Sequence, residues 1–160
     1  DMVIMGRPPE NDDLVAEPFL GNPLVIVAPP SHPLVNKRSV ALDKLAGEVF
    51  LMREPGSGTR DTMARFFAEH GVKVSSSIEV SGAEALKQSV QAGLGLALMS
   101  RDAVELELAS GRLVELNVPG LPIHRHWYLV HRTAKQLNPA ARAFKSFILD
   151  ESAELLGRGR

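Results

Sequence analysis

Apolar residues fall into short runs separated by stretches of helical period. Val49-Phe50-Leu51-Met52 is uncharged and β-prone, which predicts a buried strand. Met63, Phe66 and Phe67 then recur at helical spacing up to Gly71, the residue expected just past a helix end. Ser77-Ile78-Glu79-Val80 predicts the next strand. A helix follows with Ala83, Leu86 and Val90 on one side, ended by Gly93, and Leu94 to Met99 returns the chain to a sheet. Ser100 and Asp102 precede a third helical stretch, in which Val104 and Leu108 lie a turn apart before Gly111. Such alternation of strand and helix predicts a parallel sheet covered by helices.

The two ends of the chain read differently. Residues 2–5 form a short apolar strand halted at Gly6-Arg7-Pro8-Pro9, because prolines cannot continue a ladder. Leu14 to Phe19 reads as an edge strand interrupted by Pro18, and Pro23 to Ala28 as a strand covered on both faces. A short helix is expected around Leu42 to Leu45. Arg125 to Arg132 predicts a strand with Trp127, Leu129 and His131 on one face. Asn138-Pro139 is a helix start, N-cap then first turn, and Ala143, Phe144, Phe147 and Ile148 are expected on that helix's buried side. Gly157-Arg158-Gly159-Arg160 is expected to fray.

Residues 28–121 therefore read as a complete α/β lobe, and residues 1–27 with 122–160 as parts of a second sheet. A chain that leaves one lobe by one strand and returns by another describes two lobes with two crossovers, whose crevice is the natural binding site. A chain that opens on a strand with no earlier partner is expected to be an excerpt, with its first lobe truncated at the N-terminus.

Composition narrows the function. A hydrophobic fraction of 44% with 23% charged residues is that of a globular chain, and the apolar runs are too short for a membrane span. The net charge of −1, with Lys and Arg scattered, provides no footprint for nucleic acid. Cysteine is absent, which removes disulfides and thiolate chemistry and fits a reducing cytoplasm. No histidine sits four residues from another with a Glu; His124 and His126 alternate on a strand without a third ligand, and no Gly-x-Ser-x-Gly occurs. No metal, cofactor or catalytic residue is expected.

What remains is Glu54-Pro55-Gly56-Ser57-Gly58-Thr59-Arg60, a glycine-rich corner between strand and helix. Ser57 and Thr59 place hydroxyls beside helix-start amides that no helical partner satisfies, an anion-binding arrangement. The same residues also serve as ordinary caps. Neither a P-loop Lys nor a third Rossmann Gly is present. In a parallel sheet such corners open on one edge, so Ser57, Gly58 and Thr59, then Ser81 with its capping-box partner Glu84, then Ser100, are expected to converge. One helix start stabilises an anion by about 0.3–2 kcal/mol. Micromolar binding needs about 8 kcal/mol, so several groups must act together.

Pro23 to Ala28 with His32-Pro33-Leu34, then Glu54 to Arg60, Ala92 to Leu98 and Trp127-Tyr128-Leu129-Val130, in this order, resemble the effector-binding domain of LysR-type transcriptional regulators over nearly the whole chain. Within that family, Ile4 to Pro9, Arg53 to Arg60 and Lys87-Gln88 are most similar to the CbbR group, which regulates Calvin-cycle carbon-fixation operons. The resemblance implies an α/β, periplasmic-binding-protein-like type II two-lobed fold that holds a small anionic metabolite. Arg7 either reaches that metabolite from the other lobe or is a solvent-exposed residue before Pro8-Pro9. It also implies a cytoplasmic homodimer or homotetramer that meets DNA only through an N-terminal winged helix-turn-helix outside this chain. A periplasmic-type solute-binding protein for a small anion is the alternative on the same scaffold.

Overall fold

The computed structural model describes residues 1–155, so the fraying expected for Gly157 to Arg160 lies outside the described residues. In chain order the elements are β1 (Val3–Met5), β2 (Leu14–Gly21), β3 (Leu24–Ala28), α1 (Leu42–Leu45), β4 (Val49–Arg53), α2 (Gly58–Glu69), β5 (Ser76–Val80), α3 (Ala83–Gln91), β6 (Ala97–Ser100), α4 (Glu105–Ala109), β7 (Val114–Glu115), β8 (His126–Arg132) and α5 (Pro139–Leu155). They form two compact units, the first built from residues 1–22 and the chain from His124 onward, the second from Pro23–Ile123. The chain leaves the first unit at Asn22 rather than after Val27, because β3 pairs inside the second unit.

In the second unit β3 lies between β6 and β7, antiparallel to both. β4 pairs with β5 in parallel, and a parallel bridge between Phe50 and Leu96 joins β4 to the segment leading into β6. The Leu51 N–H donates to the Leu96 carbonyl at 2.7 Å, and the Leu96 N–H to the Val49 carbonyl at 2.9 Å. The sheet is therefore mixed, which corrects the expectation of a parallel one. The helical crossovers α2 and α3 return the chain to begin each next strand in the same direction. β3 enters from the other unit by no such crossover, and runs opposite to β6.

All five residues of β3 are completely buried, as their unbroken apolar character predicts. Alternation splits the core between the two faces of the sheet. Leu24, Ile26 and Phe50 pack with Met63, Phe66 and Phe67 of α2, whereas Val25, Val27 and Leu51 pack with Leu86 and Val90 of α3. The Phe50 and Phe67 rings meet edge to face at 5.0 Å. Gly95 permits the approach of the two strands, since a Cβ there would lie 2.5 Å from the Val49 carbonyl oxygen.

In the first unit β8 is central, antiparallel to β1 and β2, and the β2 register shifts between Pro18 and Leu20. Asn138 caps α5 as expected, its Oδ1 accepting from the Ala141 N–H at 2.8 Å. The expected buried side of α5 is corrected at three positions: Ala143 is exposed, and Phe144 and Phe147 are 46% and 51% exposed, while Ile148 is half-buried. Beside Ile148, α5 turns toward the sheet Lys145, paired with Glu17 of β2 and 3.1 Å from Nε2 of His131 on β8, and Ser152, which reaches the Phe19 carbonyl. Among the described residues no helix is long and apolar enough to cross a membrane, and no three His, Asp or Glu side chains gather as a metal site.

Candidate functional site

The pairing of Arg53 with Val80, and of Phe50 with Leu96, sets the C-terminal ends of β4, β5 and β6 along one edge of the sheet in the second unit. The loops carrying Ser57, Ser81 and Ser100 therefore open on one rim. Ser57 occupies the N-cap position of α2 in extended conformation, yet its side chain makes no capping bond. Its carbonyl accepts the Asp61 N–H at 3.1 Å and begins the helix. Ser57, Gly58 and Thr59 are half-buried, and the Thr62 hydroxyl donates back to the Gly58 carbonyl at 2.7 Å.

The capping box between Ser81 and Glu84 does not form. The N-cap of α3 is Gly82, at φ +84° and ψ +148°, a conformation closed to side-chain-bearing residues, so Ser81 falls one residue outside the helix. Glu84 is turned along the helix instead: its carboxylate accepts from Gln88 at 2.8 Å and lies 2.9 Å from Lys87 Nζ. Those two partners hold the Glu84 carboxyl below its ordinary range, Gln88 contributing most. Lys87 also meets Glu107 of α4 at 3.0 Å, so the cluster straps two helices together. Glu84 thus fastens α3 through Gln88 and Lys87.

Ser100 closes β6 opposite Leu24, but a single 3-10 turn, Asp102–Val104, and the five-residue α4 follow it in place of the longer helix expected. Arg7 is an exposed residue of the first unit, at the bend after β1. That unit holds a second arginine that sequence reasoning passed over. The Arg125 guanidinium lies 5.7 Å from the Trp127 ring centre and against Gly6, where a Cβ would sit 3.3 Å from Cζ, and burial pulls its pKa down. A groove of about 320 Å³ in the same unit, lined by Val3, Met5, Leu14 and Val130 among others, touches none of the rim residues.

Charge on the rim is arranged in closed pairs. Arg53 grips Glu54 with two hydrogen bonds, Nε to Oε2 at 2.7 Å and Nη2 to Oε1 at 2.6 Å, and the Gly82 N–H donates to the same Oε2 at 3.1 Å. The hydrogen bonds from Arg53 first, then those from backbone amides, lower the Glu54 carboxyl to about 2. Arg60, in the first turn of α2, donates to the Arg53 carbonyl at 2.8 Å and to Glu79 at 2.7 Å. With both arginines committed, the rim offers the Ser57 hydroxyl, which caps nothing, beside the helix-start amides of α2. The visible sign of this network was the charged residues Arg53, Glu54 and Arg60 interrupting an otherwise small-residue turn.

Similar proteins share this frame. The RuBisCO operon transcriptional regulator of Allochromatium vinosum is 50% identical over 155 residues, covering 97% of this chain and 51% of that protein. The regulator CbbR of Rhodospirillum rubrum is 48% identical over 148 residues, covering 92% of this chain and 49% of its own. The chain thus spans about half the length of the curated relatives it matches. Among solved structures, the regulatory domain of Synechocystis PCC6803 CcmR in complex with 2-PG superposes with a TM-score of 0.86 at 37% identity, over 93% of this chain and 72% of that one. Residues 1–153 match the LysR substrate binding domain, and the chain belongs to that family.

Proposed function

We propose that this domain senses a small anionic metabolite at the rim of its second unit, as the effector-binding part of a LysR-type regulator of carbon-fixation genes. Ser57, Gly58 and Thr59 supply the principal contacts, with Ser81 and Ser100 beside them, and no catalysis takes place. The observation that carries this reading is the Ser57 corner, where the hydroxyl is not consumed in capping its own helix. The anionic class follows from the rim's donors, amides and hydroxyls at a helix start. The complex of the Synechocystis relative with 2-PG makes 2-phosphoglycolate the first compound to try. Family membership removes the enzyme and solute-binding readings. The whole regulator would act in the cytoplasm as a homodimer or homotetramer and reach operator DNA through a separate N-terminal domain.

Calorimetry of the chain with 2-phosphoglycolate and with inorganic phosphate, for wild type and Thr59→Ala, tests the reading. Loss of one charge-assisted hydrogen bond, about 1.5–3 kcal/mol, lowers affinity at least about tenfold. Equal affinity in the two proteins removes the loop from the site.

A further inference from the structure

We propose that Glu54 is the positioning residue of this rim, tying the β5–α3 loop to the β4–α2 loop and so setting the spacing at which Ser57, Thr59 and Ser81 meet an anion. The inference rests on the effector reading above and adds to it a residue that need not touch the ligand.

Glu54 acts at two levels. Its carbonyl accepts the Ser57 N–H at 3.2 Å, which closes the turn into α2, while its side chain reaches across the strand ladder to Gly82. Because Arg53 pairs with Val80, the next residue on each strand, Glu54 and Ser81, stands at the same level of the sheet edge. The link therefore joins the two loops at their roots. The Glu54 carboxylate is engaged through both oxygens, and the bidentate Arg53 neutralises it. An uncompensated carboxylate here would repel an incoming anion. Held as it is, it fixes the loops at little electrostatic cost to the site.

The N-cap amides of both helices are thus held by one residue, that of Gly82 by the Glu54 carboxylate and that of Ser57 by the Glu54 carbonyl. Neither helix has a side-chain cap. Arg60 braces the same strands independently through Glu79 and the Arg53 carbonyl, so removing Glu54 loosens one loop without unfolding the edge.

The test uses the isotope-labelled chain with Glu54→Ala and Glu54→Gln, titrated with 2-phosphoglycolate and inorganic phosphate. Gly82 amide exchange and thermal stability are followed in parallel. Glu54→Ala is expected to expose the Gly82 amide to exchange and to weaken 2-phosphoglycolate binding about tenfold or more, since a misplacement of about 1 Å is enough for such losses. Glu54→Gln keeps an acceptor for Gly82 and is expected to stay within about threefold of wild type, a difference of under 1 kcal/mol. That contrast separates a tie from a charge effect. Equal affinity of Glu54→Ala and wild type, or equal losses in Ala and Gln, overturns the proposal. If wild type binds neither anion while Gly82 loses protection in Glu54→Ala, the effector reading falls and the tie between loops stands; unchanged Gly82 protection overturns the tie itself.

Discussion

A carboxylate held by one guanidinium and one amide, as Glu54 is, titrates far from its ordinary range, and the sign of the effect follows from which form is held. The partners bind the charged form, so the folded pKa drops from 4.5 to about 2. The stabilising contribution is complete above the unfolded value and is lost as the pH falls from about 4.5 through about 2. Carboxyl-detected NMR is expected to show a Glu54 midpoint near 2; a midpoint near 4.5 would show that Arg53 does not hold it in solution. Gly95 is decided by steric contact rather than charge. Replacing it with Ala pushes a methyl onto the Val49 backbone, which cannot swing away as a side chain would. Gly95→Ala is expected to destabilise the chain by about 1–3 kcal/mol in urea unfolding, the usual cost of overpacking. The Arg53–Glu54 neighbours were visible in sequence, but the reach of Glu54 to Gly82 and the approach of Gly95 to Val49 were not, because each depends on a partner distant along the chain.

At the scale of elements, α2 and α5 carry similar aromatic residues with opposite fates. Phe66 and Phe67 are buried against the sheet, whereas Phe144 and Phe147 are about half exposed. Phe67→Ala is expected to cost about 3–5 kcal/mol, while Phe147→Ala should shift stability by less than about 0.5 kcal/mol. Comparable denaturation midpoints for the two variants would contradict this packing. α2 was readable because its apolar stripe is unopposed: no charged residue shares that face. On α5 the stripe competes with Lys145, which finds Glu17 and His131, and this charged cluster orients the helix. The start of α3 failed for a related reason. Ser81 and Glu84 have the spacing of a capping box, but Glu54 reaches Gly82 from another strand and the helix begins one residue later.

Across the whole molecule the apolar core is unevenly shared. Among the described residues every fully buried hydrophobic side chain lies in the second unit except Leu129 and Val130. Burial of that kind supplies roughly 1.5–3 kcal/mol per large side chain, so the second unit carries most of the stabilisation. Hydrogen exchange is expected to be slowest at β3, β4 and β6, with β1 and α5 opening at lower free energy. Uniform protection across the two units would contradict it. The mixed sheet belongs to this scale too, since the direction of β3 depends on where the chain comes from and not on its own five residues.

The apolar runs, the helix starts at Ser57 and Asn138, and the order of strands and helices were determined by the sequence alone. They arise from interactions within a few residues, from side-chain period and from backbone preference. The resemblance to a metabolite-sensing family was legible for the same reason, as motifs that keep their order along the chain. Tertiary structure decided which strand neighbours which, which face of α5 is covered, and which carboxylate takes the Gly82 amide. Each of those outcomes is a competition between partners far apart in the chain, and only the folded chain brings the competitors within reach of one another.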